Sequence, residues 1–232
     1  MKINSLHRRM KIIPVIGIIL LFSVGCRKDE LPKVTDIDGN QYHYVAIGSQ
    51  EWMVENLKVT RYRNGDSIQE VSGNSAGKAA WGNLTSGAYC NYNDDSNDGR
   101  IYGLLYNWYV VNDSRNVAPS GWHVATVDDW NTLINYLGGT DVAGGKLKET
   151  GIAHWISPNS DASNTVKFSA LPSGLRDYHG NFTLLGEVTE WWIPKEYDTN
   201  FALFTQIGNG ASIQITGVGQ KSVGCSIRCV RD

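Results

Sequence analysis

Hydrophobic and polar positions alternate in short runs along the chain after residue 33. The sequence Asp38-Gly39-Asn40 separates two such runs, and Gly48-Ser49-Gln50 separates the second from a run over Glu51 to Val54. A glycine or asparagine turn between alternating runs is typical of antiparallel hairpins. The pattern therefore predicts a β meander that begins near Val34.

One segment has the spacing of an amphipathic helix. Its apolar positions recur at intervals of three and four residues, at Trp130, Leu133, Ile134 and Leu137. Thr126 followed by Asp129 is a capping-box pattern, and Gly138-Gly139 is a stop signal. The sequence predicts a helix from Val127 to Leu137 with its apolar face in the core.

The remaining segments are shorter. Residues 102–111 carry Leu105, Trp108 and Tyr109 at helical spacing, which predicts a short buried helix. Residues 64–88 are rich in Gly, Asn, Ser and Ala and are expected to form a long irregular surface stretch. After residue 164, apolar runs alternate with turn residues. We therefore expect an α+β domain of short strands with two or three short helices.

The first 25 residues follow a different pattern. Four basic residues precede an apolar run from Ile12 to Val24, which is typical of a signal peptide. Thirteen helical residues cover about 20 Å, whereas a spanning helix needs about 30 Å. The sequence predicts a signal peptide over residues 1–25 rather than a permanent membrane span.

The end of this apolar run, Ser23-Val24-Gly25-Cys26, resembles the lipobox of bacterial lipoproteins. The next four residues, Arg27-Lys28-Asp29-Glu30, are similar to the surface-export signal of Bacteroidetes lipoproteins. The resemblance implies that Cys26 is lipidated and that residues 26–33 are a tether. It also implies an outer-membrane lipoprotein that faces the cell exterior and is held in the lipid bilayer by acyl chains.

The charge balance argues against one class of partner. The chain has 21 basic and 23 acidic residues, and without the first 25 residues the balance is 17 to 23. No basic run remains that could release counterions from a phosphate backbone. Nucleic-acid binding is not expected, and about 200 residues suffice for one domain with a sizeable core.

Eight segments, in order, resemble the major paralogous domain family named from Fibrobacter succinogenes. They are VTDIDGNQYHYVAIGSQEWMVENLK (34–58), YCNYNDD (89–95), YGLLYNWYVV (102–111), APSGWHVATVDDW (118–130), AGGKLKETGIAHW (143–155), FSALPSGLRDYHGNF (168–182), EWWIPKEYD (190–198) and CSIRCVRD (225–232). Within them, GWHVATVDDW is similar to a strand–turn–helix unit of sulfatase-modifying-factor and C-type-lectin-like domains, and SIRCVR is similar to their terminal strand. The resemblance implies a single C-type-lectin-like domain over residues 34–232.

Three cysteines remain if Cys26 is acylated. The segment from Ser222 to Val230 is predicted to be a strand. Cys225 and Cys229 cannot pair along it, because four residues span about 13 Å and a disulfide needs Cα atoms within about 7 Å. Geometry leaves Cys90 to pair with either of them. The family pattern places cysteines at Cys90 and Cys229, which implies that these two form a disulfide and that Cys225 is a free, packed thiol. In the alternative, all three thiols are free.

The chain contains eight Trp and eleven Tyr. Three of the tryptophans are assigned to the core: Trp108, Trp122 and Trp130. For four others the sequence leaves two alternatives, a place in the core or a place on an exposed recognition face: Trp81, Trp155, Trp191 and Trp192. Adjacent strand residues point to opposite faces, so the last two cannot share one layer.

The expected ligand surface combines residues 64–98 with these four rings, because rings stack on sugars and the Asn91 and Asn93 amides can hydrogen-bond hydroxyl groups. Burial of all four rings would remove this face and would favour a scaffold without a discrete ligand.

Metal sites are weakly indicated. Asp94, Ser96 and Asp98 resemble the first half of a calcium loop, with Ca²⁺ as the only candidate cofactor, but Leu105 stands where the bidentate Glu is needed. A solvated turn is the favoured interpretation. The histidines are too widely spaced in the sequence to indicate a zinc site.

Together these features predict a non-enzymatic, surface-anchored recognition or adhesion module that binds a glycan or protein through an aromatic, Asx-rich loop face. One alternative, which the fold resemblance permits, is an oxidoreductase like the formylglycine-generating enzymes, which need two neighbouring thiols to hold copper. Another is a structural envelope component without a discrete ligand.

Overall fold

The computed structural model describes Met1, residues 30–210 and residues 212–232. The expected signal peptide and Cys26 lie outside the described residues. Residues Leu31–Asp232 form one compact unit. Among the described residues, no helix has the length and apolar character needed to cross a membrane.

The unit has mixed α and β structure in which sheets predominate. Its described strands are β1 (Lys33–Thr35), β2 (Gln41–Ile47), β3 (Gln50–Met53), β4 (Gln69–Glu70), β5 (Ala88–Cys90), β6 (Leu105–Tyr106), β7 (Trp122–Val124), β8 (Ser173–Arg176), β9 (Phe182–Leu185), β10 (Val188–Glu196), β11 (Phe201–Gly208), β12 (Ile213–Gln220) and β13 (Cys229–Arg231). The described α-helices are α1 (Ser75–Trp81), α2 (Ser96–Tyr102), α3 (Trp108–Val111), α4 (Val127–Tyr136) and α5 (Thr140–Leu147).

The first sheet has the strand order β1-β2-β3-β13-β7 and is antiparallel throughout. Both predicted hairpins are present, with Val34 opposite Tyr42 in one and Val45 opposite Trp52 in the other. The carboxyl-terminal strand β13 lies between β3 and β7, where Val230 pairs with Trp52. The two ends of the compact unit therefore meet in one sheet.

The second sheet has the order β12-β11-β10-β8-β9, and its only parallel pair joins β8 to β10. A third, small sheet contains β4, β5 and β6. Isolated bridges at Gly224, Cys225 and Ser226 connect the chain just before β13 to β8, β6 and β10. The segment expected as one strand from Ser222 to Val230 is thus mostly bridges and ends in the short β13.

Helix α4 confirms the clearest sequence prediction. Thr126 is its N-cap, and the reciprocal hydrogen bonds of a capping box join Thr126 to Asp129. The four apolar positions of the predicted face are all buried. The last helical residue is Tyr136, one residue before the predicted end.

Five short helices replace the two or three expected. Helix α1 lies inside the stretch expected to be irregular, with Asn74 as its N-cap. The helix expected over 102–111 is instead strand β6 followed by the single helical turn α3. Helix α5 contains Gly144-Gly145, which lower helix propensity by about 1 kcal/mol each. A Cβ at Gly145 would lie 2.6 Å from the Asp161 carbonyl oxygen, so close packing requires the glycine.

The core consists of several clusters separated by the sheets. The largest fills the space between the first sheet, α4, α5 and one face of β10 and β11, and it includes Trp130 and Trp191. The opposite face of β10 contributes Trp192 to a separate cluster with Trp108 and Cys225. As predicted, the two adjacent tryptophans point into different layers.

Three fully buried cations hold loops to the core. Arg228 donates to the carbonyl oxygens of Met53, Val54 and Phe168. Arg176 and Lys148 do the same for other loops, through the carbonyl groups of Val71, Ser72, Gly180, Asn209 and Gly210. Backbone carbonyl groups buried without a partner destabilise a fold, so these donors replace sheet hydrogen bonds where the chain is irregular.

Candidate functional site

The tryptophans expected to form an exposed face are all buried. Trp81, Trp191 and Trp192 have no exposed surface, and Trp155 is 1% exposed. Their indole N–H groups are also used inside the protein: Trp155 donates to the Ala170 carbonyl, Trp191 to the Asn56 side chain and Trp192 to the Tyr106 carbonyl. The predicted aromatic recognition face is therefore wrong, because the sheet that carries Trp191-Trp192 is covered on both sides.

Asn91 is the N-cap of a 3-10 turn at Tyr92–Asp94, and Asn93 lies within this turn. Asn91 packs against Gly99, where a Cβ would lie 1.9 Å from the Asn91 amide oxygen. Asn93 is exposed but stands apart from the four rings, which are internal. The structure does not bring the predicted ligand residues together.

The local structure around Asp94, Ser96 and Asp98 does not support the less favoured interpretation of this segment as a calcium loop. Asp94 accepts hydrogen bonds from the backbone N–H of Gly73 at 2.6 and 2.8 Å. Ser96 begins helix α2, so Ser96 and Asp98 are two helical positions apart and point in different directions. Within residues 30–210 and 212–232, no group of three or more His, Cys, Asp or Glu side chains could hold a metal ion.

The expected Cys90–Cys229 disulfide is also not formed. All three described cysteines are free and buried, including Cys225 as predicted. Cys90 is on β5 in the third sheet and packs with Trp81, whereas Cys229 is on β13 in the first sheet and packs in another cluster. The two thiols therefore belong to different parts of the core.

Burial also makes these thiols poor metal ligands. It raises the pKa of Cys90 to about 12, and it raises the pKa values of Cys225 and Cys229 still further. The thiolate is the form that binds metals and acts as a nucleophile. Three protonated thiols in three separate clusters do not provide the neighbouring pair that the oxidoreductase alternative requires.

A polar groove lies on the loop-rich side that includes part of residues 64–98. We call it the amide groove. It has a volume of about 420 Å³, within the usual range for small-ligand sites, and is lined by Gly82, Asn83, Leu84, Thr85, Tyr109, Asn200, Phe201, Gln220, Lys221 and Ser222. It is thus built from the end of α1, from α3, and from the ends of β11 and β12.

Several groove side chains have polar atoms without protein partners. Among the described residues, no side-chain hydrogen bond is made by Thr85, Tyr109, Asn200, Gln220 or Ser222. They offer hydroxyl and amide groups, which both donate and accept hydrogen bonds. The rings of Tyr109 and Phe201, each half-buried, stand among them. This combination can hydrogen-bond a hydroxylated ligand and pack against its apolar faces.

The groove walls are fixed by Lys221 and Asp198. The buried Lys221 ammonium pairs with Glu196 and donates to the Thr199 carbonyl at 2.8 Å. The Asp198 carboxylate accepts from the backbone N–H groups of Asn200 and Phe201 at 2.8 and 2.9 Å. These contacts hold the β10–β11 turn in one conformation, so the groove is preorganised.

Two exposed tyrosines lie on turns next to the groove. Tyr197 is 64% exposed and sits in the same turn as Asn200, and Tyr178 is 44% exposed. The Tyr178 carbonyl packs against Gly82, where a Cβ would lie 2.1 Å away. The sequence analysis did not assign either tyrosine to the ligand surface, because it considered only tryptophans as the exposed rings. The signal was an aromatic residue inside an Asp-containing turn, in Asp177-Tyr178-His179-Gly180 and in Tyr197-Asp198-Thr199-Asn200.

A larger cavity of about 520 Å³ borders Leu31 and Pro32. Its acidic side chain, Glu51, is already paired with Arg231 at 2.6 Å. The amide groove, with its unpaired amides and hydroxyls, is the stronger candidate for a polar ligand.

Comparison with known proteins identifies the family. No curated protein and no solved structure matches the chain. A family described as the Fibrobacter succinogenes major domain matches residues 45–231, which is most of the chain and nearly all of the compact unit. The protein therefore belongs to the Fibrobacter succinogenes major domain family.

Proposed function

We propose that this protein is a non-enzymatic, surface-anchored recognition module that binds a glycan in the amide groove. The observation that carries the proposal is the set of five polar side chains, Tyr109 among them, that have no side-chain hydrogen bond among the described residues and lie around the groove with the Phe201 ring. Sugars present hydroxyl groups at their edges and C–H groups on their faces, so amides and rings together complement them. The groove replaces the tryptophan face expected from the sequence.

The proposal also includes a lipid anchor and a C-type-lectin-like fold. Lipidation at Cys26 would hold the domain on the outer membrane with its groove facing the cell exterior. A C-type-lectin-like organisation is supported by β7, which leads directly into the capped helix α4, and by the pairing of β7 with the terminal strand β13. Intact-mass measurement on the membrane fraction tests the anchor, and an unmodified Cys26 would contradict it.

Glycan-array binding of the purified chain tests the groove. We expect Asn200→Ala and Tyr109→Ala to weaken binding of a responding glycan at least tenfold, or about 1.4 kcal/mol. Asn135→Ala and Tyr136→Ala are matched controls, because both residues are exposed and lie on or beside the solvent face of α4. Equal effects of the groove and control variants would contradict the proposal.

A scaffold without a discrete ligand is the second candidate. The burial of Trp81, Trp155, Trp191 and Trp192 favours it, since the strongest sugar-stacking rings are used in the core. If no glycan on the array binds, and if groove variants keep the phenotype of the intact cell envelope, the scaffold function replaces recognition.

A further inference from the structure

A second, smaller cleft lies in another part of the molecule and shares no lining residue with the amide groove. We call it the Arg228 cleft. Its volume is about 190 Å³, and its lining includes Glu55, Asn56, Ile101, Tyr102, Glu149 and Arg228. It brings together residues from the segment after β3, the end of α2, the segment after α5 and the chain just before β13.

The buried wall of the cleft is the guanidinium group of Arg228, which is 1% exposed. Its Nε donates to the Asn56 amide oxygen at 3.0 Å, and its Nη1 donates to three backbone carbonyl groups. Burial lowers the pKa of this group to about 9, although the Glu55 charge opposes the shift. Its Nη2 makes no hydrogen bond among the described residues and is not one of their fully buried unpartnered atoms, so it can donate to a molecule in the cleft.

Other lining residues supply acceptors and hydroxyl groups. One Glu149 oxygen is 2.7 Å from His154 Nδ1, and its other oxygen has no partner in the described part of the chain. Both Glu55 oxygens are bound by His43, through its ring nitrogen and its backbone N–H. The Tyr102 hydroxyl likewise makes no hydrogen bond among the described residues. Its pKa is raised by burial, and further by the Asp98 and Glu149 charges.

The third component is apolar. Leu171 and Val54 are half-buried in the lining, and Ile101 is 47% exposed at the cleft. A ligand here would meet an aliphatic wall as well as unpaired donors and acceptors. This favours a molecule that has both C–H faces and hydroxyl edges.

Charge and size narrow the class of ligand. An anion would contact Arg228 but would face the carboxylates of Glu55 and Glu149, and a cation would face the buried guanidinium at close range. A hydroxyl group suits both sides because it accepts from a guanidinium and donates to a carboxylate. The volume is below the roughly 300–1,000 Å³ of sites for drug-sized ligands, which limits the occupant to a small molecule or to one unit of a longer chain.

We propose that the Arg228 cleft binds a single neutral sugar residue, with Arg228 and Glu149 as the donor and acceptor that select its hydroxyl groups. Ile101 and Leu171 pack against its C–H face. This site is independent of the amide groove, so either can exist without the other.

The test uses a panel of methyl pyranosides as probes, with the purified chain and saturation-transfer NMR followed by calorimetry. We expect at least one pyranoside to bind. Glu149→Gln should weaken its binding about tenfold, since a charge-assisted hydrogen bond is lost. Ile101→Trp should abolish binding by filling the cleft. Arg228 is left intact, because it also holds three backbone carbonyl groups and its loss would affect folding.

Matched controls separate the cleft from the rest of the surface. Ile152→Trp places the same ring at a position that is 70% exposed and outside the cleft lining, and it should leave pyranoside binding unchanged. Asn200→Ala in the amide groove should also leave it unchanged. Thermal unfolding of each variant checks that the fold is intact.

Three results would overturn the proposal. The first is that no pyranoside in the panel binds. The second is that Ile101→Trp binds a pyranoside as well as the wild type does. The third is that glycine or inorganic phosphate binds in the cleft instead, which would assign it to a zwitterion or an anion. Loss of array binding with retained cleft binding would contradict only the proposed function of the amide groove.

Discussion

Glu190 gives a quantitative test of how burial controls the stability of this fold. It lies on β10 and is 8% exposed. The Cys225 thiol donates a hydrogen bond to its carboxyl group at 3.4 Å. Burial raises the pKa of Glu190 to about 7 from the usual 4.5, with a smaller opposing effect of Cys225. No cation among the described residues compensates its charge.

The sign of the effect follows from the two pKa values. The folded state binds the proton more tightly than the unfolded state, so stability is greatest below pH 4.5 and falls as the pH rises to about 7. The pKa difference of about 2.5 corresponds to roughly 3 kcal/mol, since each pKa unit is worth about 1.4 kcal/mol. Glu190→Gln has no ionisable group at this position, so the variant should not lose this stability as the pH rises.

Urea unfolding of the wild type and of Glu190→Gln between pH 4 and 8 measures the difference directly. We expect the variant to gain up to about 3 kcal/mol relative to the wild type across this range, with the change centred between pH 4.5 and 7. Glu187→Gln, at an exposed position just before β10, is the control and should shift stability by less than about 0.5 kcal/mol. A difference between wild type and Glu190→Gln that stays constant with pH would refute the reasoning.

Three further predictions concern packing, thiols and acid stability. Trp192→Ala should cost about 3–5 kcal/mol of unfolding free energy, whereas Tyr197→Ala should change it by less than about 0.5 kcal/mol; similar urea midpoints for the two would contradict the burial pattern. The three cysteines of the compact unit should react with a thiol reagent only after denaturation, and rapid reaction of any one in the native state would contradict their burial. Burial alone would raise the pKa of Asp129, but hydrogen bonds from His123 and Thr126 outweigh it and lower the pKa to about 2. Asp129 therefore stabilises the fold above about pH 3.8 and loses this effect as the pH falls towards 2. The melting temperature of Asp129→Asn should fall less than that of the wild type over this pH range, and an equal fall in the two proteins would contradict this.

Features encoded within a few neighbouring residues could be predicted from the sequence. The capping box of Thr126 and Asp129, the apolar face of α4 and the two amino-terminal hairpins depend on local hydrogen bonds and periodicity, and the structure confirms them. The opposite orientation of Trp191 and Trp192 also follows from strand geometry alone.

Features that depend on distant segments could not be predicted. Alternation places Trp192 on one face of β10, but only the fold shows that Trp108 covers this face. The cysteine pairing failed for the same reason, because β5 and β13 belong to different sheets. In the candidate site, residue types alone could not show that Tyr109, Asn200 and Gln220 lie around one groove, since they are separated by up to about 110 positions in the chain.

The position of β13 has a consequence for the order in which the compact unit folds. This strand comes last in the sequence but is central in the first sheet, between β3 and β7. Until β13 is in place, β3 and β7 have no strand between them and the first sheet cannot close. Such pairing between the ends of a chain makes folding slow, because a long loop must close before the contacts form. We therefore expect the first sheet to complete its pairing late in folding, after the second sheet, whose strands all lie closer together along the chain.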